Sequence, residues 1–244
     1  MNKLIVISLA LNGYQFTYRQ HLKTHKAYAK RIGAEYLLVS KPTVSKLGVE
    51  CCWLKLHLAR KALAQGFENV LLVDADAIVT DDAPDIRQNL VQGKHVYMAK
   101  GYTKRFNSGV MLINNHSDAI DFLNQIIGNR LRTIPEEDSV GWGENGHVIY
   151  YAKQSNIVAE LNCVWNNTYK KGITDYIRHQ NHGPFRTSTF KRLLHKALAA
   201  ASRTFVRFTT QYQELPSQRI PSSWFYQELE NIIARYPVLG GKAN

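Results

Sequence analysis

Two carboxylates, Asp74 and Asp76, follow the apolar run at residues 70–73 and stand one residue apart. An unbroken run of this kind is typical of a buried strand in an α/β sheet whose two faces are both covered. In such sheets ligands bind beyond the carboxyl ends of the strands, which is where these carboxylates would lie. Paired carboxylate oxygens suit Mg²⁺ or Mn²⁺ that carries substrate phosphates. The alternative is that the two acids only cap the strand and the turn after it.

Strand-like and helix-like segments alternate on both sides of this run. The first half predicts strands at 4–9 and 34–40 and helices at 18–32 and 53–64. Later strands are predicted at 95–99, within 106–114 (a turn feeding an apolar strand), at 159–164 and at 176–179, and later helices at 118–127 and 145–154. This order predicts an α/β fold with a mainly parallel, Rossmann-like sheet and helices on both faces.

The composition is that of an ordinary globular protein. Of 244 residues, 45% are hydrophobic and 20% are charged, so a packed core is expected. No run of about 18 apolar residues occurs, which argues against a membrane-spanning helix. The cysteines are Cys51, Cys52 and Cys163. An odd number with an adjacent pair disfavours a disulfide framework and favours a reducing, cytoplasmic setting.

Positive charge is concentrated late in the chain. The net charge is +12, and no acid occurs between Asp175 and Glu214. Apolar residues at helical spacing across 190–208 predict a basic amphipathic helix, followed by a looser tail that contains Pro216, Pro221 and Pro237.

This basic segment predicts a second part of the chain, a helical extension at 187–244. Its expected partner is an anionic membrane surface, contacted through residues 187–210, which would place the protein at the inner face of a membrane. Alternatively, the apolar face packs on the domain and the basic face is merely solvated. No nucleic acid is expected, since the aromatic residues follow the apolar stripe.

Three motifs occur in a fixed order along the first part of the chain. They are Trp53-Leu54-Lys55, the strand that ends in Asp74-Ala75-Asp76, and the segment 106–114 with Asn107-Ser108-Gly109. Together they resemble the nucleotide-sugar glycosyltransferases of the GT-A fold, in particular the galactosyl/mannosyltransferase and glycogenin-like branches. The resemblance covers residues 1–186, which are expected to form the catalytic domain.

The resemblance implies a donor site around these motifs. Asp76 would bind the metal directly, and Asp74 would bind the metal, a ribose hydroxyl, or both. Ala75 between them would belong to the donor site, and Lys55 would meet a phosphate or the ribose. Asn107 and Gly109 would shape the floor of the donor sugar site. Separately, Ser8, Ala10 and Asn12 lie near the first strand, at the topological switch point where such folds bind the nucleotide base. On the residue alone, a solvated helix lysine is the alternative for Lys55.

A late histidine is the third metal ligand that the resemblance implies. His179 is preferred because it follows a strand-like segment, and His182 is the alternative. Arg186 would then replace the lysine that the glycogenin-like enzymes use as a phosphate clamp.

Glu144, Asn145 and Asp138 are the candidate catalytic residues of the middle region. Glu144-Asn145 matches the Asp-Gln pair that precedes a helix in glycogenin-like enzymes. The alternative is that these acids only occupy helix N-termini. Trp165-Asn166 resembles the acceptor-side turn, with a core role for the tryptophan as the other possibility.

These observations predict a metal-dependent glycosyltransferase. It would move a sugar from a UDP-sugar to a hydroxyl of a glycan or a lipid-linked acceptor, and the resemblance favours retention. A nucleotidyltransferase is the rival enzyme, but the loop after the first strand offers one glycine, Gly13, rather than a glycine-rich phosphate loop. A basic protein that binds membranes or nucleic acid without catalysis is the other alternative.

Overall fold

The computed structural model describes residues 3–140, 143–180 and 220–241, with isolated positions between 185 and 204. The strands are β1 (Leu4–Leu9), β2 (Glu35–Val39), β3 (Asn69–Val73), β4 (Ala77–Val79), β5 (Val96–Lys100), β6 (Phe106–Asn114), β7 (Val158–Leu161) and β8 (Ile177–His179). The α-helices are α1 (Tyr14–Thr17), α2 (Arg19–Arg31), α3 (Leu54–Ala64), α4 (Ser117–Gly128), α5 (Asn145–Lys153) and α6 (Ser222–Ile233). Short 3-10 turns lie at Gly48–Trp53, Ile86–Asn89, Cys163–Trp165 and Pro237–Leu239.

Six strands form the central sheet, in the order β2-β1-β3-β6-β5-β7. β1 pairs in parallel with β2 and β3, and β5 pairs in parallel with β7. β6 runs antiparallel to both of its neighbours. The carboxyl ends of β1, β3, β5 and β7 therefore share one edge with the start of β6, and this confirms the mainly parallel α/β fold.

Both faces of the sheet are covered, as the apolar strands predicted. Ile5 and Ile7 of β1 belong to a core with α3, α4, α5 and α6, whereas Val6 belongs to a second core with Tyr28 of α2. Neighbouring residues of a strand point to opposite faces, so an unbroken apolar run is needed to fill both cores.

Two local predictions differ from the structure. β6 begins at Phe106, so 106–109 belongs to the strand and is not a turn before it. β7 ends at Leu161 and a 3-10 turn follows, because the side chain of Asn162 accepts a hydrogen bond from the Val164 N–H and caps that turn.

The expectation of a loose tail is wrong for residues 220–241. Phe225 and Leu229 of α6 are fully buried against the core that contains α3 and α4. Arg130 contacts both Glu50 and the carbonyl of Ile220, which fixes the start of this segment. Apolar residues every three to four positions give α6 its buried face, a pattern that the nearby prolines obscured.

Most of the basic segment at 187–219 lies outside the described residues. Its helix, its membrane contact and the division of the chain at residue 186 therefore stay predictions. Within the part that the structure describes, every helix is too short or too polar to cross a membrane.

Candidate metal and sugar-donor site

Strand pairing brings His179 next to Asp76. β4 follows the Asp74–Asp76 turn directly, and it pairs antiparallel with β8 so that Ala77 lies opposite His179. The His179 Nε2 is 3.0 Å from Asp76 Oδ1 and 3.9 Å from Asp74 Oδ2. The two aspartates and His179 are thus assembled although about 100 residues separate them in sequence.

Gly109 provides the space that His179 occupies. A Cβ atom at position 109 would lie 2.0 Å from His179 Cε1, closer than any side chain tolerates. The carbonyl of Gly109 also accepts a hydrogen bond from the Asp74 N–H at 2.8 Å. Glycine was expected here for a close backbone approach, and within the described residues it is His179 that makes this approach.

Lys55 lies at the centre of a buried charged network. Its Nζ is 2.7 Å from Glu144 Oε1 and 3.0 Å from Asp74 Oδ1, and it donates to the carbonyl of Ser108 at 3.1 Å. Only 6% of its side chain is exposed, so the solvated-lysine alternative is wrong. An ammonium has three N–H donors. The protein supplies an acceptor for each of the three, so the main contacts of Lys55 are with the two carboxylates rather than with a ligand.

Burial and charge compete at these groups. Burial alone would lower the pKa of Lys55, but Asp74 and Glu144 raise it above its ordinary value. Burial would raise the pKa of Glu144, yet Lys55 holds it below its ordinary value. Lys55 and Glu144 are therefore a charged pair, and Glu144 also accepts a hydrogen bond from Ser108 Oγ at 2.7 Å.

Asp74, Asp76 and His179 suit a divalent cation. Their candidate ligand atoms all lie within 4.8 Å of one another, and the two aspartate side chains are 32% and 17% exposed, so a ligand can reach them. Counting Glu144, three carboxylates face the ammonium of Lys55 and the ring of His179, whose pKa burial would lower but Asp76 raises. This excess of negative charge favours a cation, and a set of two oxygens and one nitrogen is compatible with Mn²⁺.

A second group of possible ligands, His95, His116 and Asp118, is less suited to a metal. The two imidazoles are stacked with centroids 3.8 Å apart and planes within 3° of parallel, so their in-plane lone pairs do not converge. His116 Nδ1 also accepts a hydrogen bond from the Asp118 N–H at the start of α4, where the helix dipole disfavours a cation.

Asn107 and Asn166 connect the start of β6 to His179. Asn107 Oδ1 accepts hydrogen bonds from the Gly109 N–H and from Asn166 Nδ2, each at 2.9 Å. Asn166 Oδ1 lies 2.9 Å from His179 Nδ1. Sequence reasoning placed Asn166 on the acceptor side and missed this contact, because no local pattern links positions 166 and 179. Trp165 and Trp53 are core residues, 2% and 4% exposed.

Of the residues predicted to bind the nucleotide base, Ser8 lies in β1, and Ala10 and Asn12 follow the end of that strand. Ser8 Oγ is 2.8 Å from His25 Nδ1, and both residues are fully buried, as is Ala10. Asn12 binds the 45–51 segment, accepting from the Ser45 N–H and donating to the carbonyl of Gly48. These residues therefore pack within the protein itself, and their contact with a nucleotide base stays a prediction.

The remaining candidate site residues differ in their contacts. Asn145 Oδ1 accepts from the Ser108 N–H at 2.8 Å and so holds α5 to the site. Asp138 is buried and pairs with Lys153. Ala75 is buried between the two aspartates. The catalytic assignments of Glu144, Asn145 and Asp138 stay predictions. His182 and Arg186 lie outside the described residues.

A polar cavity of about 480 Å³ opens at the same edge of the sheet. It is lined by Lys100 at the end of β5, by Leu161 at the end of β7, and by Glu160, Asn162, Cys163, Tyr169 and Lys170. The loop that carries Asn166 also forms a wall of this cavity. Thr168 in that loop accepts a hydrogen bond from the Tyr102 N–H at 2.8 Å.

The chain is similar to several solved structures of glycosyltransferases. A glycosyltransferase involved in glycosylation of the major capsid of PBCV-1 superposes with a TM-score of 0.60 at 12% identity, covering 80% of this chain and 98% of that one. The galactosyltransferase LgtC gives 0.47 at 11% identity, covering 91% and 99%. GlyE of Streptococcus pneumoniae TIGR4 gives 0.47 at 13% identity, covering 90% and 67%.

Neither a family model nor a curated protein sequence matches the chain. The superposition on the PBCV-1 enzyme nevertheless extends over almost all of that chain. The GT-A glycosyltransferase fold that the three motifs predicted is therefore confirmed.

Proposed function

We propose that this protein is a metal-dependent glycosyltransferase that uses a nucleotide-sugar, with a UDP-sugar as the expected donor. The observation that carries the proposal is the cluster of Asp74, Asp76 and His179 at the carboxyl edge of a GT-A sheet. These three residues would hold Mn²⁺ or Mg²⁺. When bound, such a cation neutralises charge on a diphosphate leaving group.

The chain's own residues would prepare the site for this ligand. Lys55 fixes Asp74 and Glu144 in place and keeps Glu144 charged, so neither carboxylate needs to reorganise when the donor binds. The backbone at Gly109 and the amide of Asn107 lie beside the cluster, where the donor sugar would rest.

The ion pairs and the burial of the candidate carboxylates favour transfer with retention of the anomeric configuration. An inverting enzyme needs a carboxylate that is free to take the acceptor proton. Glu144 is bound by Lys55 and Ser108, and Asp138 is paired with Lys153. Both are nearly inaccessible, at 4% and 2% exposure, which favours a mechanism without a separate carboxylate base.

The cavity beside the site is the proposed acceptor position. Lys100 and Lys170 against Glu160 leave one excess positive charge, which suits a glycan acceptor with an anionic group. Lys170→Gln should raise the acceptor KM in transfer assays and leave donor hydrolysis unchanged, whereas Lys171→Gln should leave both unchanged. An unaltered KM in Lys170→Gln would reject this position.

The primary test is the metal-dependent hydrolysis of a panel of nucleotide-sugars. Asp76→Asn should lower hydrolysis by at least about 100-fold, since it removes a charged ligand without changing the volume of the side chain. Asp82→Asn, an exposed aspartate beyond β4, is the matched control and should behave like the wild type. Hydrolysis at the wild-type rate in a folded Asp76→Asn protein, or no Mn²⁺-dependent hydrolysis by the wild type, would overturn the proposed function.

A further inference from the structure

We infer that Asn166 is a positioning residue that keeps a hydrogen on Nδ1 of His179 and thereby directs Nε2 toward the aspartates. This inference rests on the proposed metal role of His179. It is carried by a chain of hydrogen bonds in which each link has one possible direction, beginning at the backbone of β6.

The first link fixes the amide of Asn107. The Gly109 N–H can only donate, so the atom of Asn107 that lies 2.9 Å from it must be the amide oxygen. That oxygen also faces Asn166 Nδ2 at 2.9 Å. A backbone group therefore sets the orientation of Asn107.

The second link fixes the amide of Asn166. Its Nδ2 lies 3.1 Å from the carbonyl oxygen of Asn107, which can only accept. Two acceptors, one from the backbone and one from the side chain, thus face the same atom of Asn166, and that atom must be the NH₂ group. The other amide atom, Oδ1, is then an acceptor.

The third link fixes the imidazole. His179 Nδ1 lies 2.9 Å from Asn166 Oδ1, and only a hydrogen on Nδ1 makes this a bond. Nε2 lies 3.0 Å from Asp76 Oδ1 and can also carry a hydrogen toward that carboxylate, and a metal ion held by His179 would take the place of this hydrogen. Asn166 is fully buried and His179 is 1% exposed, so water does not compete for these groups.

The consequence is a direct connection between the metal ligand and the proposed floor of the donor site. Asn107, Asn166 and His179 come from three separate segments, and a change in any one of them is transmitted to Nε2. Hydrogen bonds of this kind behind a ligating histidine typically change metal affinity by about 10-fold to 100-fold when they are removed.

The test combines ¹⁵N NMR of His179 with Mn²⁺ titration followed by EPR. In the wild type without metal, Nδ1 should carry a hydrogen whether or not Nε2 also carries one toward Asp76. Asn166→Leu, which keeps the branched shape of the side chain but removes its three hydrogen bonds, should no longer hold the hydrogen on Nδ1 and should bind Mn²⁺ about 10-fold to 100-fold more weakly. Asn166→Asp keeps the acceptor for Nδ1 and should retain more of the affinity than Asn166→Leu.

Asn114→Leu is the matched control. It removes an amide hydrogen bond to Asn69 at the other end of β6, about 23 Å from Asn107 at the usual rise of a strand. It should lower stability without changing the ring or the affinity for Mn²⁺. A neutral ring with its hydrogen on Nε2, or an Asn166→Leu protein with wild-type affinity, would overturn the inference. Failure of the wild type to bind Mn²⁺ would instead reject the proposed metal site, and the NMR result would still decide the position of the hydrogen.

Discussion

Two regions of this molecule bury charged groups, and they treat them differently. At the carboxyl edge of the sheet, Lys55 holds Asp74 and Glu144 in a network that leaves negative charge unbalanced. Where α6 docks, the buried pair of Arg130 and Glu50 is balanced and is covered by apolar side chains such as Phe225.

The contrast separates binding from stability. A buried ion pair whose two charges balance does not attract a further charged ligand. An excess of carboxylates, in contrast, lowers the stability of the empty site and attracts a cation. The edge network therefore has the character of a functional site, and the docked helix has the character of a structural element. The predictions below test this distinction.

The largest effect is expected at Lys55. Lys55→Met would leave the buried Glu144 and the partly exposed Asp74 without their cation and should lower the free energy of unfolding by about 3 to 5 kcal/mol. Lys61→Met is the control on the same helix, since Lys61 pairs with Glu230 of α6 at 3.3 Å and the two side chains are 32% and 60% exposed. It should cost less than about 1 kcal/mol in urea unfolding. Equal losses of unfolding free energy in Lys55→Met and Lys61→Met would contradict the proposed difference between the edge network and the region where α6 docks.

Gly109→Ala should affect binding more than folding. The added Cβ would displace the His179 ring, and a shift of about 1 Å at a catalytic site costs about 100-fold in rate. Donor hydrolysis and Mn²⁺ affinity are the measurements. Gly128→Ala at the end of α4 has open space around its Cβ and should leave both unchanged. Unaltered hydrolysis in Gly109→Ala would show that His179 does not act in the site.

The smallest effect is a pH dependence where α6 docks. His57 lies against Phe225 and Tyr226, and neither of its ring nitrogens has a hydrogen-bond partner among the described residues. Burial, with added repulsion from nearby arginines and a lysine, lowers the pKa of His57 to about 3. The unfolded chain therefore binds the proton first, and stability falls as the pH drops from about 6.5 towards 3.

His57→Leu should remove this contribution. The wild type should lose about 1 to 2 kcal/mol more than the variant between pH 6.5 and pH 5, at up to about 1.4 kcal/mol per pH unit. Urea unfolding at the two pH values measures the difference. Parallel losses in the two proteins would show that the ring of His57 is not held in its neutral form.

The sequence predicted the parts of the site that depend on local pattern. The apolar run before Asp74 predicted β3, and the position of the aspartates at its end followed from the fold class. The preference for His179 followed from the strand-like residues before it, and β8 ends at that residue. Helix α6 was missed because prolines on both sides suggested a loose tail, while its burial depends on α3 and α4.

What the sequence determined by itself is the alternation of strands and helices, the sheet edge at which the carboxylates lie, and the motifs of a GT-A fold. Only the tertiary structure decided which side chains contact one another at that edge. Lys55 was expected to face a ligand and instead bridges two carboxylates. Gly109 makes room for a histidine 70 positions later in the chain. Such contacts depend on strand register and on side-chain packing between distant segments, and neither can be predicted from a local sequence pattern.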